Sequence, residues 1–192
     1  MDFFNSAYKG TPPWDIGRPQ KEFVGLARRG EITGSVLDIG CGTGENALFF
    51  AAEGHEVWGV DSAPHAIAKA KRKAEERGLT VEFLVLSALE LKRLARTFDT
   101  ATDSGLFHTL SDGDRPVFVR NLAAVLPPGG RYFMLCFSDR EPGGYAPRRI
   151  TEREIRETFR DGWAVRYIQP ATFESNTRVE GPKAWLSSIV KL

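Results

Sequence analysis

Three groups of side chains have types and spacings that could do chemistry. The first is Asp38-Ile39-Gly40-Cys41-Gly42-Thr43-Gly44-Glu45. Glycines at alternate positions let the backbone take positive φ and let a ligand approach without meeting a Cβ. A dinucleotide site would space them G-x-G-x-x-G. Here the third glycine comes one place early, and Glu45 follows at a helix start, where a pyrophosphate needs room and positive potential. The pattern argues against NAD and suits a ligand without phosphate there. Asp38 is placed to accept a hydrogen bond from a cationic amine, directly or through water. The second group is Asp61, 17 positions after Gly44, with Ser62 beside it. A carboxylate at this distance accepts two hydrogen bonds from a ribose diol. The alternative is a cap for the next helix, a duty Ser62 and Pro64 could already serve. The third group is Asp103-Ser104-Gly105-Leu106-Phe107-His108. A histidine there is either a weak general base or a structural side chain.

The elements that must position these groups follow from hydrophobic periodicity. Residues 36–39 read as a buried parallel strand, and further strands are expected over 56–61, 81–86, 98–103 and 132–137. Helices are expected over 20–29, 45–53, 63–77 and 112–126. Thr151-Glu152-Arg153-Glu154 opens another as a capping box. Residues 163–169 and 184–190 read as an antiparallel hairpin at the sheet edge. Alternating strands and helices imply a doubly covered α/β sheet, whose ligands sit at the carboxyl ends of the strands. Asp103, Ser104, Phe107 and His108 fall at that edge. Residues 1–18 carry Phe3, Phe4, Tyr8 and Trp14, too many aromatics for a floppy tail. They either cover a ligand site or staple onto the core. The loop over 140–149, rich in Gly, Pro and Arg, is expected to border a pocket.

Composition sets bounds. The 192 residues, 42% hydrophobic, suffice for one α/β domain with its own core. A net charge of +1 argues against a nucleic-acid partner. Two cysteines, Cys41 and Cys136, make no disulfide framework and suggest a reducing compartment. No metal site is expected. No signal peptide and no run of membrane-spanning length is visible, so a soluble cytoplasmic protein without a membrane partner is expected.

Leu37-Asp38-Ile39-Gly40-Cys41-Gly42-Thr43-Gly44 resembles motif I of the class I S-adenosylmethionine-dependent methyltransferases. The turn Leu126-Pro127-Pro128-Gly129-Gly130 before an apolar strand is similar to the same family. The resemblance implies a single Rossmann-like domain over 19–192, with a mostly parallel seven-stranded sheet, an antiparallel edge hairpin and helices on both faces. It implies S-adenosylmethionine as cofactor and S-adenosylhomocysteine as product. Many members carry an acidic residue for adenine after the third strand. Ser87 stands there instead, so adenine recognition would rest on Ser87, the backbone of Ala88 and apolar Leu89. The segment Pro13-Trp14-Asp15-Ile16-Gly17-Arg18-Pro19 resembles the opening motif of thiol, halide and thiopurine methyltransferases, where it lies over cofactor and substrate. Residues 1–18 are therefore expected to form a lid, with Trp14 near the cofactor and Phe4 and Tyr8 near the substrate. The segments Asp103–His108 and Cys136-Phe137-Ser138-Asp139 look more like bacterial enzymes that methylate heterocyclic toxins, which adds Phe137 and Ser138 to the substrate residues.

The expected activity is transfer of a methyl group to O, S or N of a small aromatic or heterocyclic acceptor. Thiol or halide methylation is the alternative within the same fold. An NAD-dependent oxidoreductase and a non-catalytic cofactor-binding module are alternatives of other classes. An acceptor that ionises easily needs only a weak base, such as His108, or none. Either a monomer or a homodimer is compatible with this reading.

Overall fold

Strand β1 (Val36–Ile39) is buried along its whole length, and the sheet is built outward from it. The structure is a computed structural model that describes residues 2–143 and 148–192. Parallel to β1 lie β2 (Val57–Asp61) on one side and β4 (Thr100–Ser104) on the other. Strands β3 (Glu82–Val85) and β5 (Arg131–Phe137) extend the two wings. Strand β7 (Lys183–Lys191) runs antiparallel between β5 and the edge strand β6 (Trp163–Thr172). The described residues thus form a seven-stranded sheet in the order β3-β2-β1-β4-β5-β7-β6. Pro170 is tolerated in β6 because an edge strand has one side without ladder partners.

Side-chain alternation divides the core between the two faces. Val36, Phe133 and Leu135 pack against α2 (Lys21–Arg28), α3 (Glu45–Ala52) and α4 (Pro64–Arg77) through Phe23, Leu26, Leu48, Phe50, Ile67 and Ala70. Leu37, Ile39, Tyr132 and Met134 face the other way, onto Phe118 and Leu122 of α5 (Asp114–Val125) and Ile155 of α6 (Glu152–Thr158). Helix α6 starts with the expected capping box: Thr151 Oγ1 accepts from the Glu154 N–H, and Glu154 Oε2 accepts from the Thr151 N–H. Cys41 and Cys136 are both free thiols.

Three features depart from expectation. Residues 2–7 form a helix, α1 (Asp2–Ala7). So short a helix is not stable alone. It is held on α4, where Asn5 Oδ1 accepts from the His65 N–H at 3.1 Å. A 3₁₀ segment, Ala88–Leu94, follows β3. The closing strands are longer than the hydrophobic runs suggested, because β7 pairs on both sides. Residues 144–147 of the loop expected to border a pocket lie outside the described residues. Among the described residues, no helix is long and apolar enough to cross a membrane.

Candidate active site

The carboxyl ends of the parallel strands meet at one edge, and the glycine turn lies there. Gly40, Gly42 and Gly44 have φ of +67°, +55° and +85°, which side chains other than glycine rarely adopt. A Cβ on Gly42 would fall 2.6 Å from the Tyr8 hydroxyl, and one on Gly44 would fall 2.7 Å from the Phe83 ring. Gly44 therefore serves the packing of the turn on the sheet, while Gly42 faces the N-terminal segment. Glu45 turns toward α4, where Lys73 and Arg77 bind it at 2.7 and 2.9 Å. Burial acts to raise its pKa, but these two cations hold the carboxyl below the usual range.

Beneath the turn, Asp38 is buried on β1. Its Oδ1 accepts from Thr102 Oγ1 at 2.9 Å. Its Oδ2 is buried with no hydrogen-bond partner among the described residues. Burial pushes this carboxyl up to about 7, with the Thr102 bond opposing. An orphaned buried acceptor is rare in native structures, and a ligand's ammonium group is one donor that would satisfy it. At the end of β2, Asp61 accepts from the Gly42 N–H (2.9 Å) and the Ala63 N–H (2.8 Å). It thus ties the turn to β2 and caps the approach to α4. Each oxygen keeps a second lone pair for a diol. Burial raises its pKa as well, against the pull of the two amides. Ser62 beside it is exposed.

The N-terminal segment runs over this edge. Tyr8 is buried, and its hydroxyl accepts from Trp14 Nε1 at 2.9 Å. Trp14 is 42% exposed and touches Phe3 and Phe4 at centroid distances of 6.5 and 6.1 Å. Asp15 Oδ1 accepts from Thr43 Oγ1 at 2.6 Å, and Thr43 in turn accepts from Lys73 Nζ at 2.7 Å. On the far side, the Pro13 carbonyl accepts from the Asn176 N–H and the Asp15 carbonyl accepts from Asn176 Nδ2. Residues 13–15 therefore bridge the glycine turn and the loop between β6 and β7.

That loop carries Phe173, which completes an aromatic wall. The His108 ring stacks on Phe137 at 4.4 Å and 9°, and Phe173 meets both rings edge-on at 5.8 and 5.0 Å. His108 Nδ1 accepts from the Phe137 N–H at 3.0 Å, so a neutral ring carries its proton on Nε2. Burial, with the Arg149 charge second, lowers its pKa to about 3. A neutral His108 therefore presents a donor at Nε2, and of its two expected roles this arrangement does not favour the weak general base.

Two assignments are corrected. Asp103 was expected to meet the cofactor. It is fully buried, and its carboxylate accepts from the N–H groups of Leu106 and Phe107 and from the Tyr132 hydroxyl. It holds the backbone leading to His108, and burial raises it to about 7. Phe107 was expected to meet the substrate. Its ring lies in the core on the opposite face, against Phe118 and Phe159. Both errors share one cause: Thr102 faces Asp38, so its neighbour Asp103 must face the other layer.

The remaining expected residues lie at the edge with local duties. Ser87 Oγ accepts from the Leu89 N–H at 3.2 Å, Ala88 is nearly buried, and Leu89 is half-buried. Ser104 ends β4 half-buried. Ser138 is buried, its Oγ accepting from the Arg140 N–H. Sequence reasoning gave no role to Asp15, Phe173, Asn176 or Arg149. Asp15 lay within a motif already singled out and Arg149 within the loop over 140–149 expected to border a pocket, while Phe173 and Asn176 come from a loop with no local signal.

Comparisons with known proteins agree with this geometry. Residues 36–130 match the family described as "Methyltransferase domain". A 2-heptyl-1-hydroxyquinolin-4(1H)-one methyltransferase of Mycobacteroides abscessus is 37% identical over 187 residues, spanning 92% of this chain and 82% of that protein. "Probable thiol methyltransferase 2" of Arabidopsis thaliana is 29% identical over 152 residues, spanning 78% of this chain and 67% of that protein. A solved structure described under "Conversion of a Disulfide Bond into a Thioacetal Group during Echinomycin Biosynthesis" superimposes with a TM-score of 0.91 at 33% identity, covering 99% of this chain and 92% of that one. The oxidoreductase and non-catalytic readings find no support in these relatives.

Proposed function

This chain belongs to the S-adenosylmethionine-dependent methyltransferases, and from that premise we propose that it methylates an oxygen, sulfur or nitrogen atom of a small aromatic or heterocyclic acceptor. The observation that carries the proposal is the concentration of aromatic rings near the carboxyl edge of the sheet: Tyr8 and Trp14 beside the glycine turn, and the stacked group of Phe137, His108 and Phe173 at the end of β5. Such walls suit a flat apolar molecule. The acceptor of the Mycobacteroides relative, a hydroxyquinolone by its name, is of that kind.

When bound, S-adenosylmethionine supplies a methyl group already activated by its sulfonium charge. What the protein must add is position and dryness. Asp38 Oδ2 takes the ammonium group, and Asp61, with Ser62, holds the ribose diol. The backbone along Gly40, Gly42 and Gly44 leaves room for the ligand. Ser87, Ala88 and Leu89 border the adenine. Trp14 and Tyr8 offer aromatic faces to a cation, an interaction of about 0.5–2 kcal/mol. His108 orients the acceptor by donating from Nε2, while Ser104, Phe4, Phe137 and Ser138 shape the surroundings. Residues 1–18 act as a lid on the domain formed by 19–192. Thiol methylation is the second reading, favoured by Pro13-Trp14-Asp15 and the Arabidopsis relative. The chain works in the cytoplasm as a monomer or homodimer, with no nucleic-acid or membrane partner.

The test is a panel of thiols, phenols and hydroxyquinolines incubated with S-adenosylmethionine, with products read by mass spectrometry. Methylation of a flat aromatic acceptor is expected. A protein that methylates aliphatic thiols or halide alone would overturn the first reading in favour of the second.

A further inference from the structure

We propose that Asp15 and Asn176 are positioning residues that join the glycine turn to the acceptor wall, so that cofactor and acceptor each bind more tightly with the other in place. The proposal rests on the small-aromatic reading above. Asn176 brackets Trp14. Its N–H donates to the Pro13 carbonyl at 3.0 Å, and its Nδ2 donates to the Asp15 carbonyl at 2.8 Å. One residue of the loop between β6 and β7 thus takes a carbonyl on either side of Trp14. The indole N–H is spent on the Tyr8 hydroxyl at 2.9 Å. Trp14 is 42% exposed, yet it is fixed through its neighbours and at its one polar side-chain atom. Such a ring is a preorganised surface, with little side-chain freedom left to lose when a ligand arrives.

The same stretch is anchored on the turn. The Asp15 side chain is 10% exposed, and its Oδ1 accepts from Thr43 Oγ1 at 2.6 Å. Thr43 is itself buried between Gly42 and Gly44, and Lys73 Nζ donates to it at 2.7 Å. A hydrogen bond to a nearly buried carboxylate is among the stronger ones available. At the other end, Asn176 follows Phe173 closely in the chain, and Phe173 meets both His108 and Phe137 edge-on. Glu174 between them exchanges two hydrogen bonds with the Gln20 side chain, at 3.0 and 2.8 Å. Phe173 is buried, but residues 176–180 beyond it are exposed. Hydrogen bonds to the N-terminal segment, rather than core packing, therefore place that part of the loop. The path from turn to wall runs Thr43, Asp15, Asn176, Phe173. Two arrangements follow: residues 13–15 docked on both partners, or released from both. A ligand that fixes the turn fixes the Thr43 hydroxyl and favours the docked arrangement. An acceptor that rests against Phe173 favours the same arrangement, so each ligand strengthens the other by an equal factor.

The experiment uses the full chain and calorimetry, with 2-naphthol and 4-hydroxyquinoline as acceptor probes. Each probe is titrated with and without saturating S-adenosylhomocysteine, and the ratio of the two dissociation constants is the readout. A change that merely weakens one subsite scales both constants and leaves the ratio alone. In the wild type the probes are expected to bind about tenfold more tightly with S-adenosylhomocysteine present. Asn176→Asp keeps the size of the side chain and removes its donor, and Thr43→Val keeps the shape and removes the hydroxyl. In both, the ratio should fall below about threefold. Thr43→Ser, which restores the hydroxyl, should restore the ratio. In turnover, Asn176→Asp should raise KM for the acceptor with KM for S-adenosylmethionine little changed. A ratio near one in the wild type, an unchanged ratio in Asn176→Asp and Thr43→Val, or a loss in Thr43→Val that Thr43→Ser does not restore would each overturn the proposal while leaving the small-aromatic reading intact. Failure of all aromatic probes to bind or be methylated would overturn both.

Discussion

The Tyr8 hydroxyl lies against the Cα of Gly42, so close that a Cβ built there would come within 2.6 Å of it. The N-terminal segment and the glycine turn therefore share one surface, and a change at either is felt by the other. Gly42→Val should abolish binding of S-adenosylhomocysteine while the sheet stays folded. The β-branched side chain is strained at a φ of +55° and displaces Tyr8. Calorimetry and circular dichroism check both halves. Tight binding by this variant would show that the turn does not contact the cofactor.

The buried Asp38 makes binding and stability respond to pH. Burial raises its folded pKa to about 7 from the ordinary carboxylate value of 3.8, so the folded protein holds a proton that the unfolded chain releases. Its contribution to stability is complete below about pH 4 and is lost as pH rises toward 7. The buried Asp103, also raised to about 7, adds to the same slope. Asp38→Asn should flatten the decline in unfolding free energy between pH 5 and 7 by about half. Binding runs the other way, because an ammonium prefers the ionised carboxylate. Wild-type affinity for S-adenosylhomocysteine should rise from pH 6 to 8, and Asp38→Asn should bind more weakly with a shallower slope. Equal pH slopes in the two proteins would remove Asp38 from the ammonium site.

Asp103 positions rather than binds. Asp103→Ala leaves two backbone N–H groups and the Tyr132 hydroxyl buried without their acceptor. A loss of about 3 kcal/mol in denaturant unfolding is expected from unsatisfied buried donors. The milder Tyr132→Phe removes one of the three bonds and should cost about 1 kcal/mol. It should lower kcat with cofactor affinity unchanged. A fall in affinity for S-adenosylhomocysteine with normal stability would restore Asp103 to the cofactor site.

The lid is tested by truncation. Removing residues 1–12 deletes Tyr8 and leaves every strand in place. Methylation of an identified acceptor should slow tenfold or more, about 1.4 kcal/mol of transition-state stabilisation. In the intact protein, hydrogen exchange of residues 2–18 should slow on adding S-adenosylhomocysteine. Full turnover by the truncated protein would rule the lid out.

What was legible in the sequence was what is local. The glycine turn and Asp61 follow from short spacings, and the cap at Thr151 from a four-residue pattern. A helix-covered α/β sheet through β5 follows from alternating strand and helix signals, but its strand order does not. Asp103 and Phe107 were misplaced although the information was present. Strand parity with Thr102 turns Asp103 away from the ligand edge, and the 3₁₀ turn it holds carries Phe107 into the core. Phe173 was beyond reach, since only the completed sheet brings its loop to His108. Helix α1 was missed because its stability comes from docking on α4 rather than from its own residues.

The insertion of β7 between β5 and β6 fixes the order in which this molecule can be assembled. Strand β6 has β7 as its sheet partner, yet the ribosome delivers β6 first. Until β7 emerges, β6 has no ladder to join, and Glu174 and Asn176 have no settled place from which to hold Gln20 and Asp15, 154 and 161 positions earlier. The five parallel strands can form a half-finished sheet while the aromatic N-terminus waits undocked. Contacts of such sequence separation are slow to close and leave apolar surface exposed meanwhile. Aggregation during synthesis should therefore track the moment β7 is delivered, and a C-terminal fusion partner that delays its release should lower the soluble yield more than one placed at the other end.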